Sequence, residues 1–168
     1  MLRCFLSGVG VVAFLMVPPV VAQAALVEDE FEALKIECVD VRGIPVLNVR
    51  NDTLNDVAFS DLMRPMGPVF YPLIIMNVKR LQQLSKASQA FFVAHECGHH
   101  VLGHLYQRRP GVNVEQEADC YALRTLIRRG WFTFQHIRDV QNDMRKFARA
   151  SIYHADGPGR ASALMDCL

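Results

Sequence analysis

His95-Glu96-Cys97-Gly98-His99 is the stretch that decides how this chain is read. It lies in a run from about Ser85 to Tyr106 in which Ala90, Phe91, Ala94, Val101, Leu102 and Leu105 recur at helical spacing. That spacing predicts a helix with one apolar, buried side. Residues four apart on a helix stand one turn above each other. His95 and His99 can therefore aim two imidazole nitrogens at a single metal ion. Glu96, one step round the helix, is offset from that row but within reach of a water at the same site. Two ligands and an adjacent carboxylate are the equipment of a zinc hydrolase. The alternative is a helix that carries two histidines and a glutamate by chance.

Catalytic zinc keeps three protein ligands, so a third is needed. Glu115-Gln116-Glu117-Ala118-Asp119 lies on a second helical stretch, from about Val114 to Arg129, with Asn113 as a cap before it and Gly130 as its stop. Glu115 and Asp119 share one face of it. Glu115 is assigned to the metal, and Asp119 to the outer N–H of a ligating histidine. Glu117 is rotated away and is the weaker candidate. The competing reading is a solvated acidic first turn favoured by the helix dipole. A metzincin pattern fails, because Leu102 and Leu105 stand where its glycine and third histidine belong. His100 and His104 are also four apart, but Val101 occupies the glutamate place between them, and a polar or capping role near the helix end is expected.

Taken together, His95-Glu96-Cys97-Gly98-His99, Gly103-His104 and Glu115-Gln116-Glu117-Ala118-Asp119 resemble the gluzincin metallopeptidases. Within them the chain is similar to the minigluzincin core of the CAAX prenyl protease 1 and beta-barrel-assembly-enhancing protease group. The resemblance covers roughly residues 70 to 165. It implies Glu115 as third ligand and Asp119 as the following acid. The family's later His-Pro-x-x-x-x-Arg element maps onto His154 and Arg160, with Ala155 in the proline place. Those two residues are thereby expected to stabilise the oxyanion of a tetrahedral intermediate.

Before Glu28 the only charge is Arg3. An apolar stretch from Cys4 to Val17, the Pro18-Pro19 break and Ala22-Gln23-Ala24 make the three-part layout of a secretory signal peptide. Cleavage after Ala24 would leave residues 25–168 as one domain, periplasmic or secreted. The competing reading is a retained membrane anchor. Cys38, Cys97, Cys120 and Cys167 would then enter an oxidising space as an even set. Their three pairings are open by sequence. Cys97–Cys120 with Cys38–Cys167 is favoured, since both site helices carry a cysteine beside a motif. With 18 Lys and Arg against 17 Asp and Glu and no basic run, nucleic acid is a poor partner.

Elsewhere Ile36 to Val41 and Pro45 to Val49 alternate around Arg42-Gly43 as a hairpin, and Val57 to Met63 reads as a short strand. Val69 to Val78 reads as a strand whose Pro72 places it at a sheet edge, where an extended substrate could add. A third helix is expected from Thr133 to Ala150, and Asp156-Gly157-Pro158-Gly159 as a turn before a short last one. Met66, Met76 and Met144 are expected to fill the core.

The expected fold is therefore α+β, a zincin-like single domain with a small sheet on the His-Glu-x-x-His helix and a second ligand-bearing helix. The expected activity is zinc-dependent endopeptidase, with one zinc per chain held by His95, His99 and Glu115 and with Glu96 as the base. Two other classes remain: a zinc-binding protein without turnover, and a membrane-anchored regulatory protease if the N-terminal segment is retained.

Overall fold

Six residues from Tyr71 to Met76, apolar throughout and mostly buried, form the middle of the sheet. The computed structural model describes residues 36–64, 69–107, 112–147 and 156–168. Strand β1 is Leu47–Arg50, β2 is Ala58–Met63 and β3 is Tyr71–Met76, in the order β1-β3-β2. β1 runs parallel to β3 with Leu47 opposite Leu73, and β2 runs antiparallel with Ala58 opposite Met76.

The edge position expected for Val69–Val78 is thus wrong: β3 is central, and β1 and β2 form the edges. Pro72 misled because its missing N–H falls where no bond is due. The Met76 carbonyl accepts from Asn51 on the β1 side. By the alternation of a strand, the nitrogen of residue 72 faces that side too. The β1 ladder begins only at Leu73, one residue later. The predicted hairpin survives as a turn. Asp40 accepts from the N–H groups of Arg42 and Ile44, and only Val39 and Pro45 pair across it before β1 departs to join β3.

After β3 come α1 (Val78–Leu81) and α2 (Lys86–Val101). Ser85 caps α2 by accepting from the Ser88 N–H, and Asp143 accepts from the Ser85 N–H and the Ser88 hydroxyl. The helix does not continue to Tyr106 as expected. Gly103 adopts φ +73°, a left-handed stop, and α3 (His104–Gln107) leaves in a new direction. α4 (Val112–Arg128) begins before Asn113, which therefore sits in the first turn instead of capping it. α5 (Phe134–Met144) ends earlier than expected, and residues 148–150 lie outside the described ones. Asp156 caps α6 (Gly157–Ala163), so Gly157-Pro158-Gly159 opens the helix instead of preceding it. A 3-10 turn, Leu164–Cys167, follows.

α2 is the hub, packed against β2, β3, α4 and α5. Phe91, Ala94, Leu123, Leu126, Val140 and Met144 close the core around it, and Met76 is buried in the sheet. The architecture is α+β. Met66 and residues 1–35, with the signal-peptide and anchor readings, lie outside the described residues. Among the described residues no helix is long and apolar enough to cross a membrane.

The disulfides are Cys38–Cys97 and Cys120–Cys167, not the pairs favoured from sequence. Cys97 is two residues from either histidine, roughly 200° round the helix from His95, so it points away from α4 toward the entering chain. Cys120 turns to the C-terminal 3-10 segment, where Arg124 also donates to the Cys167 carbonyl. Two disulfides mark an oxidising compartment.

Candidate metal centre

Gly98 lets the site form. A Cβ there would lie 3.1 Å from the Tyr121 ring and 3.2 Å from the Ala118 Cα. Its absence allows α4 to approach the α2 backbone closely, which sets Glu115 beside the two histidines. His95, His99 and Glu115 are buried, and their donor atoms converge. His95 Nε2 is 3.1 Å from His99 Nε2. Glu115 places Oε2 3.5 Å from His95 Nε2 and Oε1 3.4 Å from His99 Nε2. Ligand bonds of about 2.1 Å in a tetrahedron give edges of about 3.4 Å. Each Glu115 oxygen meets that spacing to one ring, and one donor atom from each residue lies within 4.8 Å of the others, a pocket of the size one metal ion needs.

The other ring nitrogens fix which atoms face inward. His95 Nδ1 is 2.8 Å from Asp119 Oδ1, an acceptor, so Nδ1 keeps its proton and Nε2 faces the triangle, where a bound cation would take the place of the Nε2 proton. Asp119 is itself gripped by Arg160, whose Nε and Nη2 reach its two oxygens at 2.9 and 2.6 Å. Arg160 Nη1 lies 3.7 Å from Glu115 Oε2. Arg160 stands on α6, and Cys120–Cys167 ties the segment after α6 to α4.

Electrostatics agrees with a cation site. Burial and the Arg160 charge push His95 toward neutrality, yet Asp119 and Glu115 outweigh them and raise it to about 9. The pocket thus calls for positive charge at the ring. Burial keeps His99 neutral, the form a ligand needs. Asp119 is raised by burial but pulled down to about 2 by Arg160 and His95, so it stays ionised.

No protein-family model matches the chain, and neither does any curated protein or solved structure.

Of the residues singled out from sequence, His95, His99, Glu115, Asp119 and Arg160 come together; His154 lies outside the described residues. Glu96 is buried beside them, and its charge is felt by His99 and Arg160. Sequence reasoning missed Ser60 on β2, whose hydroxyl lies 2.6 Å from Glu96 Oε2 and 2.8 Å from the Glu96 carbonyl. Nothing in the local pattern of β2 marks that serine. His100, one turn beyond Glu96, is buried against the sheet, donating from Nε2 to the Leu73 carbonyl, so it ties helix to sheet.

Proposed function

We propose that this chain is an exported zinc endopeptidase of minigluzincin type, binding about one zinc per chain through His95, His99 and Glu115. The observation that carries the reading is the buried His95–His99–Glu115 triangle, of the size one metal ion needs, with Glu96 next to it on the same helix. Two imidazoles and a carboxylate suit zinc and leave a fourth position for water or substrate. When bound, zinc would supply Lewis acidity, polarising the scissile carbonyl and lowering the pKa of a water.

The chain's own residues do the rest. Glu96 accepts the proton of the attacking water and returns it to the leaving amine. Ser60 donates to Glu96 Oε2 and sets the orientation of that carboxylate. Asp119 and Arg160 hold His95 and Glu115. The oxyanion role that the resemblance gave to Arg160 loses support, because two of its three nitrogens are committed to Asp119 and the third faces Glu115. Arg160 is therefore assigned to holding the ligands. Strand addition by an extended substrate moves from β3 to β2, the edge strand whose Ser60 reaches Glu96. Cleavage of the leader near Ala24 would release the domain into the periplasm or medium, in keeping with its two disulfides.

The test separates metal binding from chemistry. Glu96→Gln is expected to keep about one zinc per chain and to lose peptide hydrolysis by roughly a hundredfold or more. His95→Ala is expected to lose both. Zinc content and cleavage of a peptide library, measured on the same preparations, decide it. A Glu96→Gln protein with wild-type turnover, or a wild-type protein that takes up no zinc, overturns the reading.

A further inference from the structure

Behind His99 the chain has built a second support from two residues outside the three-ligand set. His99 Nδ1 lies 3.0 Å from Nδ1 of His104, and His104 Nε2 lies 2.9 Å from Glu117 Oε2. The His104 side chain is 5% exposed, while that of Glu117 is 53% exposed. The row therefore runs from the buried metal triangle to the protein surface. It exists because Gly103 ends α2: on a continuous helix His104 would project away from His99, whereas the left-handed glycine swings α3 round beneath it.

Proton counting fixes the direction of the row. An imidazole that offers Nε2 to a metal carries its proton on Nδ1. His99 Nδ1–H must then donate, so His104 Nδ1 must be the acceptor. A neutral His104 accepting at Nδ1 has its proton on Nε2, and that N–H meets the Glu117 carboxylate. Each group has one role consistent with its neighbour. We propose that His104 and Glu117 are positioning residues that hold His99 in its metal-binding tautomer and orientation. This rests on metal binding by His95, His99 and Glu115 and is independent of peptidase activity.

The experiment substitutes His104 in two ways that keep polarity and size close. Asparagine places its carbonyl oxygen near the position of Nδ1, so His104→Asn still offers His99 an acceptor. Glutamine reaches toward the Nε2 position, so His104→Gln meets Glu117 but leaves His99 Nδ1–H unsupported. Zinc affinity by chelator competition is expected to fall roughly ten- to a hundredfold in His104→Gln and to stay within about threefold of wild type in His104→Asn. Nitrogen NMR of the rings in the metal-free proteins gives a readout apart from affinity and activity. His99 should be protonated on Nδ1 in wild type and in His104→Asn, and should shift toward the other tautomer in His104→Gln. Urea unfolding of the metal-free variants shows whether both fold as wild type does. Equal affinity in all three proteins, or an asparagine variant as weak as the glutamine one, overturns the proposal. A wild-type protein that binds no zinc would instead overturn the site itself.

Discussion

The two histidines of the triangle are held from behind by opposite means. His95 leans on a buried ion pair, Asp119 with Arg160, brought from α6, 65 residues away in the chain. His99 leans on a neutral ring five residues ahead, and through it on a carboxylate half in water. The first support is costly to desolvate and must be complete, so it needs α6 docked and Cys120–Cys167 closed. The second costs little charge burial and needs only the α2 stop and the neighbouring start of α4. One arm therefore couples the metal to the C-terminal helix through buried charge, and the other couples it to the α2 stop and the first turns of α4. A binding site can thus share its stability with a distant helix on one side and with nearer turns on the other.

The largest effect expected from that contrast is in folding. Arg160→Leu leaves the buried Asp119 carboxylate with His95 as its one charged neighbour, and removal of one member of such a buried pair costs up to about 3–5 kcal/mol. His104→Asn strands no charge and is expected to cost about 1 kcal/mol or less. Urea unfolding of both variants in the presence of chelator compares them directly. If Arg160→Leu is no less stable than His104→Asn, the two arms do not differ as argued.

The next test reads affinity. Asp119→Asn takes the carboxylate from His95 Nδ1 and should weaken zinc binding roughly ten- to a hundredfold, whereas Glu115→Gln, losing a charged ligand, should fall further. Isothermal titration with zinc orders the two. An Asp119→Asn protein that binds less zinc than Glu115→Gln would exchange the roles given to them.

Acid gives a control from the far end of α2, where Asp143 holds the Ser85 cap. Burial raises its pKa, but Lys146, Ser88 and Ser85 outweigh this and lower it to about 2. A depressed carboxylate contributes stability that is full above its unfolded value of 3.8 and is lost as pH falls toward 2. The shift corresponds to about 2 kcal/mol. Metal-free wild type should therefore lose stability between about pH 4 and pH 2, where Asp40 and Asp119 also take up protons, and Asp143→Asn should reduce that slope by its own share. The slope of His104→Asn should match wild type. A wild-type slope in Asp143→Asn would remove this cap from the account.

How much of this was legible follows the same division between local and distant. The His95/His99 row and the Glu115/Asp119 face were readable because a four-residue spacing is fixed by helix geometry alone. The disulfides were not, because pairing depends on which side of α2 and α4 each neighbour packs, and proximity to the motifs ignored the direction of Cys97. Pro72 signalled an edge by a rule that fails where the ladder has not begun. Ser60 reaches Glu96 across 36 residues, with no local pattern to show it. His104 was visible but misplaced, since reading α2 through to Tyr106 overrode the glycine that breaks it. The α+β class was readable from strand and helix periods; strand order was not.

The smallest effect belongs to the outer end of the neutral arm, and it is the sharpest check on how that arm works. Glu117 is 53% exposed, so its charge is screened and its hydrogen bond to His104 competes with water. Glu117→Gln keeps a carbonyl oxygen that can accept from His104 Nε2–H, so the proton order along the row is preserved. Zinc affinity should then remain within about threefold of wild type, with unchanged metal content. Glu117→Lys places only donors there. The ammonium would favour a lone pair on His104 Nε2 and a proton on Nδ1, which then faces the His99 Nδ1–H. That variant should lose affinity as His104→Gln does. Chelator competition at low and high salt separates the two causes. A loss due to the lysine charge alone fades as salt screens it, whereas a loss due to reversed proton order persists. Full recovery of Glu117→Lys at high salt would reduce Glu117 to a surface charge and leave His104 as the whole of the arm.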